Sequence, residues 1–205
     1  MVGTAPTRPP APERRPPGGP VLQDSVTEAL ATAFFEELAS TGYARLSLDA
    51  VAKRAGAGKA AIYRRWPSKL EMSVALITAV AVDSAVPADT GTLRGDILVF
   101  LTEIADALRK PLFSRIVPDL LAESTRNREL RQALFTAVRD PRRGKAARML
   151  DKAIERGELP ADTDRELALD LLAGPLYWRL AVVQTSTAQD YLNRLTDKLI
   201  AALAA

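Results

Sequence analysis

The sequence holds no cysteine and no histidine among its 205 residues. Together these absences exclude disulfides and the Cys/His zinc sites that staple small domains. They also exclude histidine acid–base chemistry and Ser-His-Asp or Cys-His nucleophilic catalysis. Aromatic residues make up only 5% and β-branched runs are scarce, which speaks against a sheet core. No window offers the roughly 18 uncharged apolar residues of a membrane span. The most apolar stretch, 167–183, is interrupted by Asp170 and Arg179 and reads as a buried helix. The first 20 residues have almost no large apolar side chain but hold seven of the 14 prolines. A disordered, partly polyproline tail is expected there, without the apolar core of a signal peptide. A cytoplasmic protein with no membrane partner fits these absences.

What is present is mainly alanine and leucine, with 47% apolar and 26% charged residues. This composition suits a soluble helical chain of one or two domains. Apolar spacing predicts about nine helices: 24–40, a short one after the N-cap Ser47, 59–66, one from Ser68, 92–109, 113–124, 128–156, 164–184 and 187–202. Ser68-x-x-Glu71 and Thr163-x-x-Glu166 have capping-box spacing. Pro118, Pro141 and Pro175 are expected to bend or divide their helices. The chain divides into the tail 1–20, a unit over 21–67, a connecting helix over 68–86 and a larger helical unit over 87–205.

The formal net charge is +3 and unevenly placed. Residues 83–205 carry 18 basic and 18 acidic side chains, whereas Arg45 to Lys69 carries seven basic ones against Asp49 alone. Such a block suits a polyanion partner; the alternative is a solvated helical face. Its residues also form two short helices joined by Gly56-Ala57-Gly58, a helix-turn-helix pattern. Ala52 and Ala55 are small enough for close approach, and Gly56 admits a left-handed turn. Val51, Ala57 and Ile62 can close a small core, leaving Lys59, Ala60, Tyr63 and Arg64 or Arg65 outward. A helix of this diameter enters the DNA major groove, where Lys and Arg reach guanine edges or phosphates.

The stretch from Leu46 to Lys69, and above all Ile-Tyr-Arg-Arg-Trp-Pro-Ser-Lys from Ile62, resembles the helix-turn-helix signature of the TetR family of transcriptional regulators. The segment Asp170 to Leu180 also looks like a penultimate helix found in one branch of that family. The resemblance implies an all-α homodimer: an N-terminal three-helix domain that reads a palindromic double-stranded operator, and a C-terminal ligand-binding and dimerisation domain. It places Lys59, Ala60, Ala61, Tyr63 and Arg65 toward the groove, with Ser47, Tyr63 and Lys69 on phosphate. Gly58 departs from the usual capping serine, and Ala61 from a common Ser or Thr; Arg64 and Arg65 are candidates to compensate.

In the C-terminal unit, 164–184 is apolar around most of its circumference, and 187–202 carries a leucine row. Leu176, Tyr177, Leu180, Leu192, Leu195 and Leu199 are therefore candidates for a dimer interface built as a four-helix bundle. The helices between 92 and 184 are expected to enclose a mostly apolar pocket for a small apolar effector, lined by Phe100, Ile104, Leu120, Leu150, Leu171 and Trp178. The core alternative stays open for the aromatic members. Charge balance disfavours a strongly charged ligand. No catalytic residue, metal site, phosphate loop, nucleotide fingerprint or cofactor motif stands out, so an enzyme is not expected. A ligand-released repressor is the leading reading; a helical protein-interaction adaptor is the alternative.

Overall fold

The computed structural model describes residues 20–81 and 89–204. The tail expected over 1–20 lies outside them apart from Pro20, as do residues 82–86 of the connecting segment. All the regular structure among the described residues is helical: α1 Pro20–Thr41, α2 Leu48–Arg54, α3 Lys59–Tyr63, α4 Lys69–Ala81, α5 Leu93–Arg109, α6 Phe113–Ser124, α7 Arg128–Leu134, α8 Asp140–Glu155, α9 Arg165–Tyr177 and α10 Gln189–Leu203. A π-helical turn, Phe135–Arg139, joins α7 to α8, and a second, Trp178–Val182, extends α9. Counting α7 to α8 as one rod gives nine helical rods among the described residues. None of these helices is long and apolar enough to cross a membrane.

Several helix ends differ from the sequence expectation. The described part of α1 already includes Pro20, ahead of the start expected near 24. The helix expected over 128–156 changes winding just before Pro141, whose ring cannot accept the ordinary register behind it. At α9 the cap is Asp164, which accepts from the amides of Glu166 and Leu167 at 3.0 and 3.1 Å. Thr163 instead donates to the Pro160 carbonyl. The last helix begins at Gln189 rather than 187, because Thr187 is buried and held by Arg109.

Two apolar cores organise these rods. The first gathers Leu30, Phe34 and Leu38 of α1, Val51 and Ala52 of α2, Ile62 of α3 and Met72 and Ile77 of α4. It continues into Ile116 and Leu120 of α6 and Leu130 of α7. The second joins Leu93, Ile97 and Leu101 of α5 to Met149 and Leu150 of α8, Leu172 and Leu176 of α9 and Leu192 and Leu199 of α10. A division at residue 87 therefore follows the chain but not the packing.

One polar contact fixes the seam. Gly42 ends α1 at φ +75°, and its amide donates to Leu38 O at 2.9 Å. The Asp119 carboxylate of α6 lies where a Cβ on Gly42 would stand, 2.6 Å from it, and accepts from the Tyr43 amide at 2.7 Å. Only glycine fits both the backbone angle and the approach of α6.

Candidate nucleic-acid interface and open cavity

The α2–α3 pair is set by its turn. The Gly56 amide donates to Lys53 O at 3.2 Å and the Ala57 amide to Ala52 O at 3.0 Å, with Gly56 at φ +63°. This is a Schellman ending, which satisfies the last carbonyls of α2 and points α3 away from it. Val51 and Ile62, both fully buried, anchor the two helices on α1. Ser47, Lys59, Ala60, Tyr63 and Arg64 are among the exposed residues of the pair, Tyr63 by 51%. Ser47 caps α2 through its extended backbone without a side-chain cap bond.

The charge block is less open than its count suggests. Arg54 turns to α1, 2.7 Å from Glu37 and 3.6 Å from Glu36, two carboxylates outside the block in sequence. Lys59 pairs with Asp49, and that hydrogen bond raises its ammonium above the ordinary value. Arg65, expected at the groove, folds back: Nε donates to Thr27 Oγ1 of α1 and Nη1 to Ala61 O, both at 2.9 Å. Ala61 is half-buried beside it. Lys69, expected on phosphate, donates from Nζ to Tyr43 O at 3.0 Å and Ala44 O at 3.4 Å, and lies 4.5 Å from the Tyr43 ring centre. It fastens the start of α4 to the α1–α2 loop. Half of the Ser68–Glu71 box forms there: the Glu71 amide donates to Ser68 Oγ at 3.1 Å, while the Glu71 carboxylate accepts from Ser68 Oγ at 3.3 Å.

A cavity of about 390 Å³ opens between α5, the start of α8 and α9. Phe100 and Ile104 line it from α5; Leu169, Asp170, Ala173, Gly174 and Tyr177 line it from α9. Arg139, Arg142, Arg143 and Ala146 form the third wall, at the i, i+3, i+4, i+7 spacing of one helical stripe. Of the other expected lining residues, Leu120 is buried in the first core and Leu150 in the second. Leu171 packs on the second core, and Trp178 points outward, 62% exposed. The mostly apolar lining that was expected is interrupted on the third wall by three arginines. A balanced count over a whole domain does not say which side chains share a stripe. Arg139 lies over Phe135 at 4.2 Å and pairs with Asp140 at 2.8 Å, and Arg143 pairs with Asp170 at 2.5 Å. Arg142 donates from Nη1 to the Ala81 carbonyl of α4, and no carboxylate pairs with it among the described residues. Burial holds its guanidinium below the ordinary value, opposed by Glu103.

The candidate dimer residues split in the same way. Leu176, Leu192 and Leu199 are buried within the single chain, because α5 and α8 already cover those faces. Leu180 and Leu195 pack partly on the same core, and Tyr177 lies on the cavity. The outward apolar residues of α9 and its π turn are Leu167, Trp178 and Val182, exposed by 56%, 62% and 47%. With half-buried Leu171 they form one stripe that the sequence reading did not single out. Its i, i+4, i+11, i+15 spacing was the available signal.

Comparison with known proteins agrees with this geometry. Residues 30–76 match the family described as bacterial regulatory proteins, tetR family, and residues 87–199 match the tetracyclin repressor-like, C-terminal domain. An uncharacterised HTH-type transcriptional regulator of Mycobacterium tuberculosis is 35% identical over 159 residues, 78% of each chain. A DNA-binding transcriptional repressor TetR of Mycobacteroides abscessus is 32% identical over 180 residues, 85% of this chain and 92% of that one. Among solved structures, a TetR family transcription regulator superposes with TM-score 0.68 at 26% identity, covering 88% of this chain and all of that one. FadR from Bacillus subtilis in complex with stearoyl-CoA superposes with TM-score 0.69 at 17% identity, covering 87% of this chain and 98% of that one. A helix-turn-helix with one exposed polar face, followed by a helical unit of matching extent, places the chain in the TetR family of helix-turn-helix transcriptional regulators.

Proposed function

We propose that this regulator is a repressor that binds a palindromic operator as a homodimer and leaves it when a small molecule occupies the α5–α8–α9 cavity. The observation that carries the reading is the outward face Ser47, Lys59, Ala60, Tyr63 and Arg64 on an otherwise anchored α2–α3 pair. Backbone-bound Lys69 and α1-bound Arg65 set the pose of that face, and Arg64, Tyr63 and Ser47 supply contacts to phosphate or base edges. Lys59 reaches DNA by exchanging Asp49 for a phosphate or a guanine edge. The second copy packs on Leu167, Leu171, Trp178 and Val182, since an apolar stripe of this length is left uncovered by one chain. The effector favours a spacing of the two α3 helices that misses successive major grooves.

Gel shifts on a duplex selected from a random pool, combined with sedimentation, test this reading. A dimer is expected whose operator affinity falls steeply with salt as counterions are released. A Trp178→Glu, Val182→Glu double variant is expected to be monomeric and to lose the operator. Salt-independent binding, or full operator affinity from a monomer, argues against the proposal.

A further inference from the structure

Between Arg45 and Lys69 the chain has a single carboxylate, Asp49, and it sits on Lys59. The pair joins the first turn of α2 to the first residue of α3. Both side chains stay open to solvent, Lys59 by 66% and Asp49 by 52%. An ion pair this exposed adds little to stability. The other α2 pair differs: Arg54 meets Glu37, whose side chain is 11% exposed, and ties α2 to α1. Lys59 lies one helical turn before Tyr63, and Ser47 stands two residues before Asp49, so the pair falls among the residues assigned above to DNA. What it offers there is a cationic donor and an anionic acceptor side by side.

We infer that Asp49 is a specificity-determining residue: it withholds Lys59 from phosphates and directs it to a G·C pair at one position of each operator half-site. The inference rests on the repressor reading above and deepens it. Lys59 leaves Asp49 only for a better set of partners. A phosphate offers acceptors alone, so there the freed carboxylate stands unpartnered beside a second negative charge, and the exchange gains little. At a G·C pair the major-groove edge shows N7 and O6 of guanine next to the N4 amine of cytosine. The ammonium takes the two acceptors and the carboxylate takes the amine, so both members of the ion pair find new partners at one base pair. An A·T pair sets its donor between two acceptors and adds the thymine methyl, and so matches the two groups less well. The one acidic residue of the basic block thus serves selectivity: it lowers affinity for every duplex and restores it at one base pair.

The test uses the full chain, a duplex selected from a random pool by the wild type, and a scrambled duplex of the same length and composition. Substituting the half-site one base pair at a time is expected to reveal a G·C position at which conversion to A·T costs the wild type roughly tenfold in affinity. Asp49→Ala is expected to bind both pairs about equally at that position. It should also hold the scrambled duplex severalfold more tightly, with a salt slope steeper by about 2 for the dimer, as each released Lys59 takes a phosphate. A role in folding alone would move neither the base preference nor the slope in this direction. Should Asp49→Ala lower the melting temperature, Asp49→Asn keeps the size of the side chain. That variant is expected to tighten scrambled binding likewise and to shift the position toward A·T, because an amide pairs with N6 and N7 of adenine. A half-site without such a G·C position, a base preference kept by the folded variants, or a scrambled-duplex affinity that does not rise overturns the inference and leaves the repressor reading standing. A wild type that binds no duplex defeats that reading, and this inference with it.

Discussion

In the N-terminal half, the cations concentrated between Arg45 and Lys69 are largely spent on the protein itself. Arg54 is on Glu37, Lys59 on Asp49, Arg65 on Thr27 and Lys69 on two carbonyls. In the C-terminal half, where charges balance by count, three arginines gather on one cavity wall. Linear charge density is thus a poor guide to the local field in either half. In the first it overstates the open positive surface; in the second it hides three arginines on one wall, two of them paired with Asp140 and Asp170. The cations of the first half are held on α1, α2 and the α1–α2 loop, and those of the second line the cavity, with Arg142 also bonded to the Ala81 carbonyl of α4.

The largest effect should come from asking whether the two halves fold apart. Ile62→Ala empties the first core and Leu101→Ala the second, each at a fully buried site and each costing roughly 2–5 kcal/mol. Because α6 and α7 join the first core while lying between α5 and α8 in the chain, both substitutions are expected to lower one cooperative denaturant transition. Two transitions, each moved by only one variant, would break the comparison.

Next is the seam. Gly42→Ala combines a left-handed backbone angle with a Cβ driven into Asp119, and is expected to cost about 2–3 kcal/mol in equilibrium unfolding. Gly56→Ala meets no neighbour within 4 Å and should cost only about 1 kcal/mol. Equal losses would mean that α6 does not bear on α1.

A smaller contrast separates two adjacent arginines. Arg64→Ala should weaken operator binding by about 1 kcal/mol and reduce its salt dependence, with little change in melting temperature. Arg65→Ala should lower the melting temperature by removing the α1–α3 tie. The reverse pattern in anisotropy and melting curves would restore Arg65 to the groove.

The smallest effect is a pH dependence at the α5–α8 junction. Glu158 accepts from the Leu93 amide at 2.7 Å, and this bond, with Arg156 beside it, holds its carboxyl below the usual range. A depressed carboxylate stabilises the fold above its unfolded value, near 4.3, and that contribution is lost as pH falls through the lower folded value. Wild type should therefore melt above Glu158→Gln at neutral pH, and the difference should shrink on acidification. A gap that does not change with pH would remove the carboxylate from the junction's balance.

The helix-turn-helix was legible because its determinants are local. Gly56, the small Ala52 and Ala55, the apolar Val51 and Ile62 and the breaker Pro67 all act within a few residues of one another. The second half was legible in its helices but not in its cavity. Phe100 and Ile104 follow an apolar stripe that periodicity reveals. Whether Leu120 or Leu150 faces the cavity or a core depends on which rod packs opposite, and this is set more than 12 residues away. Trp178 was expected to line the pocket, yet the π turn from Trp178 to Val182 accompanies its exposure on the outer side of α9.

By itself the sequence determined an all-helical chain, the order of its rods, the turn between α2 and α3 and the family to which that turn belongs, since backbone preference and spacing are short-range properties. Tertiary structure alone decided which cations stay outward, which leucines the chain covers for itself and which carbonyl Arg142 holds. Each depends on a partner distant in sequence: Glu37 for Arg54, Thr27 for Arg65, Asp119 for Gly42 and Ala81 for Arg142. A side chain's role is settled by its nearest neighbours in space, and for these residues packing brings the neighbours from another helix.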